Sequence, residues 1–132
     1  MTQPEAKRSR EIMTALRAEG YFCFKVHGGP TMMAGLPDII VCAEGFFIGV
    51  ETKMPSERQD VSLRQRYVHR LIRKAQGLSF VACSANEALA QVREAVEWLH
   101  EQKRVLGNGA FDISEEDMMS FPWGYDRKPE DL

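Results

Sequence analysis

Apolar and polar positions alternate along the chain in two rhythms, and the changes between them mark the elements. Residues 4–19 carry Ile12, Ala15 and Leu16 at helical spacing, with Gly20 as a stop. Residues 21–26 are aromatic and β-branched and predict a strand. The stretch His27-Gly28-Gly29-Pro30 through Gly35 is rich in breakers and predicts a loop. Pro37 leads into a second strand, 38–43. Glu44-Gly45 is a two-residue connection with glycine second, so 46–53 should return antiparallel as the third strand. A polar loop over 54–60 precedes a helix over 62–76, closed by Gly77. A fourth strand follows at 78–83, and Ser84 with Glu87 reads as the capping box of a helix from 85 to about 102. The order α-β-β-β-α-β-α predicts an α/β (α+β) fold, a mixed sheet covered by helices.

Length and composition fit one soluble domain. The 132 residues are 44% hydrophobic and 27% charged. No apolar run approaches the roughly 20 residues of a membrane span. The first ten residues are polar and charged, unlike a signal peptide. Cys23, Cys42 and Cys83 form no CxxC pair, which argues against zinc. Each lies in a short apolar segment, as expected of a buried structural thiol in a reducing cytoplasm.

Charge divides the chain. Residues 105–132 hold seven acids and two bases, whereas 1–104 hold fifteen bases and twelve acids, so an overall net charge of −2 hides a mildly basic body. We therefore separate a domain over 1–104 from an acidic extension over 105–132. The extension contains Phe111, Phe121, Trp123 and Tyr125, too many aromatics for an ordinary disordered tail. It is expected to dock loosely on the body or at a subunit interface.

The hairpin carries the candidate chemistry. Asp38 opens one strand, and Glu51 and Lys53 close its partner. Side chains two apart on a strand share a face, so Glu51 and Lys53 point together. The turn brings Glu51 back beside Asp38. Two carboxylates at one point repel unless a cation lies between them. Oxygen ligands suit a hard ion such as Mg²⁺, which keeps several waters when held by one or two carboxylates. The Thr52 carbonyl can add an oxygen, and Lys53 stands where it can act on water or on phosphate. A lone ExK motif on a strand is most often an ordinary surface pair. Here Gly35-Leu36-Pro37-Asp38, an apolar strand, a tight turn, a second apolar strand and Glu51-Thr52-Lys53 occur together.

That string resembles the PD-(D/E)xK nuclease superfamily. It is most similar to the virus-type replication-repair nuclease (VRR-NUC) domain in its stand-alone phage and bacterial forms. The similar features, in order, are Tyr21-Phe22-x-Phe24-Lys25-Val26-His27-Gly28-Gly29, the GxPD strand, the ExK strand, and a helix with an S-x-x-Q start. They span about residues 5–90; the segment after 104 has no counterpart. Val50 stands where isoleucine is common, without chemical consequence. The resemblance implies a restriction-endonuclease-like core and a nuclease using Mg²⁺, with Mn²⁺ able to substitute. It further implies a homodimer acting on branched DNA such as four-way junctions. It adds Glu5 to the metal site, with Asp38, Glu51 and Thr52, and sets Gln65 beside it.

Each addition has a structural alternative. Glu5 shares a face with Ile12 and Leu16, yet Thr2-x-x-Glu5 is also a capping box. Gln65 stands with Val68 and Ile72, yet Ser62-x-x-Gln65 is a capping box too. Arg66, Arg70 and Arg73 form an arginine face on the second helix, with Arg58, Arg64 and Lys74 near. Such a face is either simply solvated or a track for phosphates. Lys25 and His27 are further phosphate candidates. Three functions follow: a structure-specific DNA endonuclease, a less selective endonuclease or nickase, and a non-catalytic nucleic-acid-binding module. The clustered carboxylates speak against the third, which gains nothing from placing them near phosphates.

Overall fold

The computed structural model describes residues 3–106 and 112–125. Helix α1 (Gln3–Ala18) precedes strands β1 (Phe22–Lys25), β2 (Ile39–Ala43) and β3 (Phe46–Thr52). A 3-10 turn at Pro55–Glu57 leads to α2 (Leu63–Lys74), β4 (Leu78–Ala82) and α3 (Ala85–Leu106). A short helix, α4 (Glu115–Ser120), lies beyond the predicted order, capped by the Ser114 hydroxyl.

The sheet order is β1-β2-β3-β4. The first two pairings are antiparallel; β3 and β4 are parallel and joined through α2. The Glu44-Gly45 turn has φ of 51° and 86°, both left-handed as a type I′ hairpin requires. One sheet face carries Cys23, Ile39, Val41, Ile48, Val50, Leu78 and Phe80 against Ile12 and Leu16 of α1 and Val92, Ala95 and Leu99 of α3. The other face is divided. Helix α2 covers the β3–β4 half. On this face Phe22 and Phe24 of β1 and Phe47 of β3 are exposed, Phe22 by 68%. Cys42 lies on this face and is exposed, not buried as its apolar neighbours suggest; Cys23 and Cys83 are buried.

The described part of the extension packs on the body. Ile113, Met118 and Phe121 belong to the core, and the Trp123 carbonyl accepts from the Val81 amide on the outer side of β4. Gly124, at φ +83°, lies so close to Val81 that a β-carbon would sit 2.4 Å from the Val81 carbonyl oxygen. The Arg58 guanidinium pairs with both Glu87 oxygens at 2.7 and 2.6 Å and donates to the Gly124 carbonyl. Glu87 therefore turns its carboxylate to Arg58, while its amide meets the Ser84 hydroxyl as a cap.

Arg73 corrects the expected arginine face: it is fully buried. It donates to the carbonyls of Met118, Phe121, Pro122 and Ser79 and lies 3.4 Å beneath the Trp123 ring. Burial pulls its pKa down to about 9. In this position it cannot reach a phosphate; it ties α2 and β4 to the extension. Arg73→Met should cost about 3–5 kcal/mol, since it leaves several buried carbonyls without donors. Urea unfolding at pH 7 measures this, and a loss under about 1 kcal/mol would mean the extension is held by apolar contacts alone.

Candidate active site

The register of β2 and β3 places Ile39 opposite Val50, so Asp38 and Glu51 face each other at the open end of the hairpin. Pro37 is seated against Gly49, where a β-carbon would meet the proline ring at 2.5 Å. Only glycine permits that approach, and the approach fixes where Asp38 leaves the loop. One Asp38 oxygen accepts from the Thr52 amide at 2.9 Å and the Thr52 hydroxyl at 2.8 Å. Lys25 Nζ lies 4.0 Å from the other and also donates to the Ser9 hydroxyl.

Glu51 is buried. Burial first, then the hydrogen bond and the charge of Asp38, push its pKa up to about 10, with Lys53 and Lys25 pulling the other way. Burial also pushes Asp38 up, but hydrogen bonds from Glu51 and Thr52 and the Lys25 charge outweigh it, and its pKa falls. The two acids act as a dyad sharing one proton, with the proton on Glu51.

Gln65 caps α2 and reaches Glu51 at once. Its amide N–H meets the Ser62 hydroxyl at 3.1 Å, and its side-chain oxygen accepts from the Ser62 amide at 3.0 Å, completing the capping box. The side-chain nitrogen remains free to donate to Glu51 at 2.9 Å. Gln65→Glu should keep the cap and lose that donor, placing a third acid against the dyad. The helix should survive with a melting temperature within about 2 °C of wild type, while metal-supported turnover falls on the order of 10–100-fold. Unchanged turnover would reduce Gln65 to a cap.

His69 escapes a sequence reading, because a buried histidine beside Val68 looks like ordinary core. It is fully buried, with Nε2 4.0 Å from Glu51 and neither ring nitrogen hydrogen-bonded to a described residue. Burial, then the Arg73 charge, pull its pKa down to about 4. The imidazole is neutral at pH 7, and its contact with Glu51 is not an ion pair.

A cleft of about 170 Å³ gathers Glu5, Asp38, Glu51, Thr52, Lys53 and Gln65. Helix α1, the entry to β2, strand β3 and helix α2 thus each supply a predicted residue to one space. Thr2 lies outside the described residues, and with it the capping alternative for Glu5. Among the described residues no three histidine, cysteine or acidic side chains form a ready metal cluster; Glu5 lines the cleft. The side chains of Glu5, Asp38, Glu51 and Thr52 nevertheless offer oxygen donors to this cleft, which suit a hard, hydrated divalent ion. Of the phosphate candidates, Lys25 sits at the dyad and His27 is exposed in the following loop. Arg66 is half-buried and donates to the Val61 and Gln59 carbonyls. Arg70 is exposed.

No protein-family model and no curated protein matches the chain. Among solved structures it is similar to a VRR_NUC domain at 20% identity and TM-score 0.56, over 70% of this chain and 97% of that one. It is also similar to Hjc from Archaeoglobus fulgidus, a Holliday junction resolvase from an archaeal hyperthermophile, at 16% identity and TM-score 0.43, over 60% of this chain and 67% of that one. The first likeness shows that this α/β chain has the fold of a VRR_NUC domain, with a mixed four-stranded sheet. Among the described residues no helix is long and apolar enough to cross a membrane.

Proposed function

We propose that the chain is a divalent-metal-dependent endodeoxyribonuclease that hydrolyses phosphodiesters in branched DNA, working in the cytoplasm. One observation carries the reading: half-buried Asp38 and buried Glu51 face each other across the hairpin and open into a cleft that also holds Lys53. A binding surface for phosphates has no use for two clustered carboxylates.

Asp38, Glu51 and the Thr52 carbonyl would hold Mg²⁺ or Mn²⁺, with Glu5 reaching it through water. The bound ion supplies a low-pKa water and neutralises phosphate charge. Thr52 and Lys25 fix Asp38 from two sides, and Gln65 fixes Glu51. Lys53, outside the ligand pair, acts on the attacking water and the phosphate. Lys25, His27, Arg66 and Arg70 carry neighbouring phosphates. The nuclease domain is residues 1–104, completed by the extension over 105–132.

A two-stranded cut at a four-way junction needs two centres, and a two-fold homodimer supplies them. The exposed face at Phe22, Phe24 and Phe47 is the surface for the second copy. Incubation with Mg²⁺ and labelled four-way junction, flap, duplex and single-stranded DNA tests the reading. Junction cleavage that stops with EDTA is expected. Equal cutting of linear duplex would favour the less selective nickase, and no cutting with either ion a binding module.

A further inference from the structure

The extension does more than close the edge of β4. Trp123 and Tyr125, on either side of the left-handed Gly124, stack with ring centroids 5.8 Å apart and planes at 16°. Arg73 supports Trp123 from within, and the Arg66 guanidinium lies 4.3 Å from the Tyr125 centroid. Arg70, one turn beyond Arg66, makes no hydrogen bond or ion pair to a described residue. Together Arg66, Arg70, Trp123 and Tyr125 line a cavity of about 240 Å³.

Its position gives the cavity a meaning. It opens on α2 beside the residues that reach the dyad: Gln65, preceding Arg66, donates to Glu51, and His69, preceding Arg70, lies 4.0 Å from it. Burial pushes the Tyr125 phenol up; the Arg66, Arg73 and Arg70 charges oppose this and Glu51 adds to it. The ring therefore lies within electrostatic reach of both the arginines and the cleft.

Paired aromatic rings, with the Arg66 guanidinium over one of them and Arg70 lining the same cavity, match the base and the phosphate of a nucleotide. A base inside a duplex has both faces covered by its neighbours, so only an unstacked base can use such a platform. We propose that Arg66, Arg70, Trp123 and Tyr125 form a subsite for one unpaired nucleotide of the DNA strand entering the cleft. Arg70 holds its phosphate and the Trp123–Tyr125 pair stacks its base. The subsite rests on the reading of the neighbouring cleft as a DNA-cleaving centre. It makes the extension part of substrate selection, favouring DNA with an unstacked base at a branch.

The test uses the full chain with Ca²⁺ in place of Mg²⁺ and oligothymidylate as the probe, read by tryptophan fluorescence. Quenching is expected in wild type and in Trp98→Phe, and its loss in Trp123→Phe, which keeps a ring over Arg73. Tyr125→Leu and Arg70→Gln should each weaken oligothymidylate binding by about 5- to 100-fold, and weaken blunt duplex binding less. Equal weakening of both ligands in both variants would reduce the site to general phosphate attraction and overturn the subsite. So would quenching that survives in Trp123→Phe. Those outcomes leave the nuclease reading standing if junction cleavage persists with Mg²⁺. Trp123-dependent quenching by a protein that cuts no DNA would sink the nuclease reading and keep the subsite.

Discussion

Glu51→Gln and Asp38→Asn should each abolish cleavage. At neutral pH Glu51→Gln should leave the metal-free protein as stable as wild type or more so. Asp38→Asn should instead lose stability, because the lowered Asp38 pKa marks a carboxylate the fold stabilises. Loss of an oxygen ligand, and of the charge that holds the ion, should lower turnover on the order of 10²–10⁴-fold or more. The fold has no need of a charge on Glu51, while the Asp38 charge is held by Thr52 and Lys25. In Glu51→Gln the introduced amide can accept from Gln65 and donate to Asp38, which reproduces the protonated glutamic acid of the metal-free dyad.

The pH dependence follows from the raised pKa of Glu51. A group whose folded pKa lies above its unfolded value stabilises the fold fully below the unfolded pKa. For Glu51 that stability is lost as pH rises from the ordinary carboxylate range toward about 10. The metal-free wild type should therefore lose melting temperature between pH 5 and 9, and Glu51→Gln should lose less. Mg²⁺ should raise the wild-type melting temperature across the same window and leave Glu51→Gln unmoved. Calorimetry over that pH range, with and without Mg²⁺, beside single-turnover cleavage rates, reads all of this. Full activity in either variant would remove the central claim, and a strongly destabilised Glu51→Gln would make the dyad structural.

The geometry of the candidate site was far more legible in the sequence than its surroundings. Asp38, Glu51, Lys53 and Gln65 lie at strand ends and a helix start, where two-residue alternation, the Glu44-Gly45 turn and capping chemistry fix direction from local spacing alone. Glu5 could be placed because Ile12 and Leu16 mark the inward face of α1. Arg73 could not. Its neighbours on α2 are charged and it looks solvated, and only the return of the chain from a position 45 residues on covers it. Helix α4 escaped for the same reason: an acidic six-residue segment has little helical rhythm and is held by tertiary contacts through Met118. Cys42 and Phe22 sit on strands whose outer face local pattern marks as buried, yet no helix of the described chain covers that half of the sheet.

That uncovered half leads to the remaining expectation: Phe22→Glu with Phe24→Glu should convert a dimer to a monomer at micromolar concentration. The two rings project from β1, the edge strand, with centroids 6.2 Å apart. Beside them an apolar cavity of about 400 Å³ lies between Phe47 and Leu71, lined also by Met33 and Ile72. Projection and cavity on one face make it self-complementary, so a two-fold axis can seat the rings of each copy in the cavity of the other. Burying one phenylalanine contributes about 1.5–3 kcal/mol. The double substitution removes four rings from a symmetric interface and should weaken association by more than about 10³-fold. Because the rings are exposed in the single chain, its own stability should change by only about 0.5 kcal/mol. Light scattering at several concentrations reads the assembly, and paired cleavage assays read the consequence. Symmetric cutting of a four-way junction should fall with the dimer, while single-strand nicking, which needs one centre, should fall less. A variant that remains dimeric would move the interface to another surface. A wild type that is monomeric at these concentrations yet resolves junctions symmetrically would remove the two-centre argument altogether.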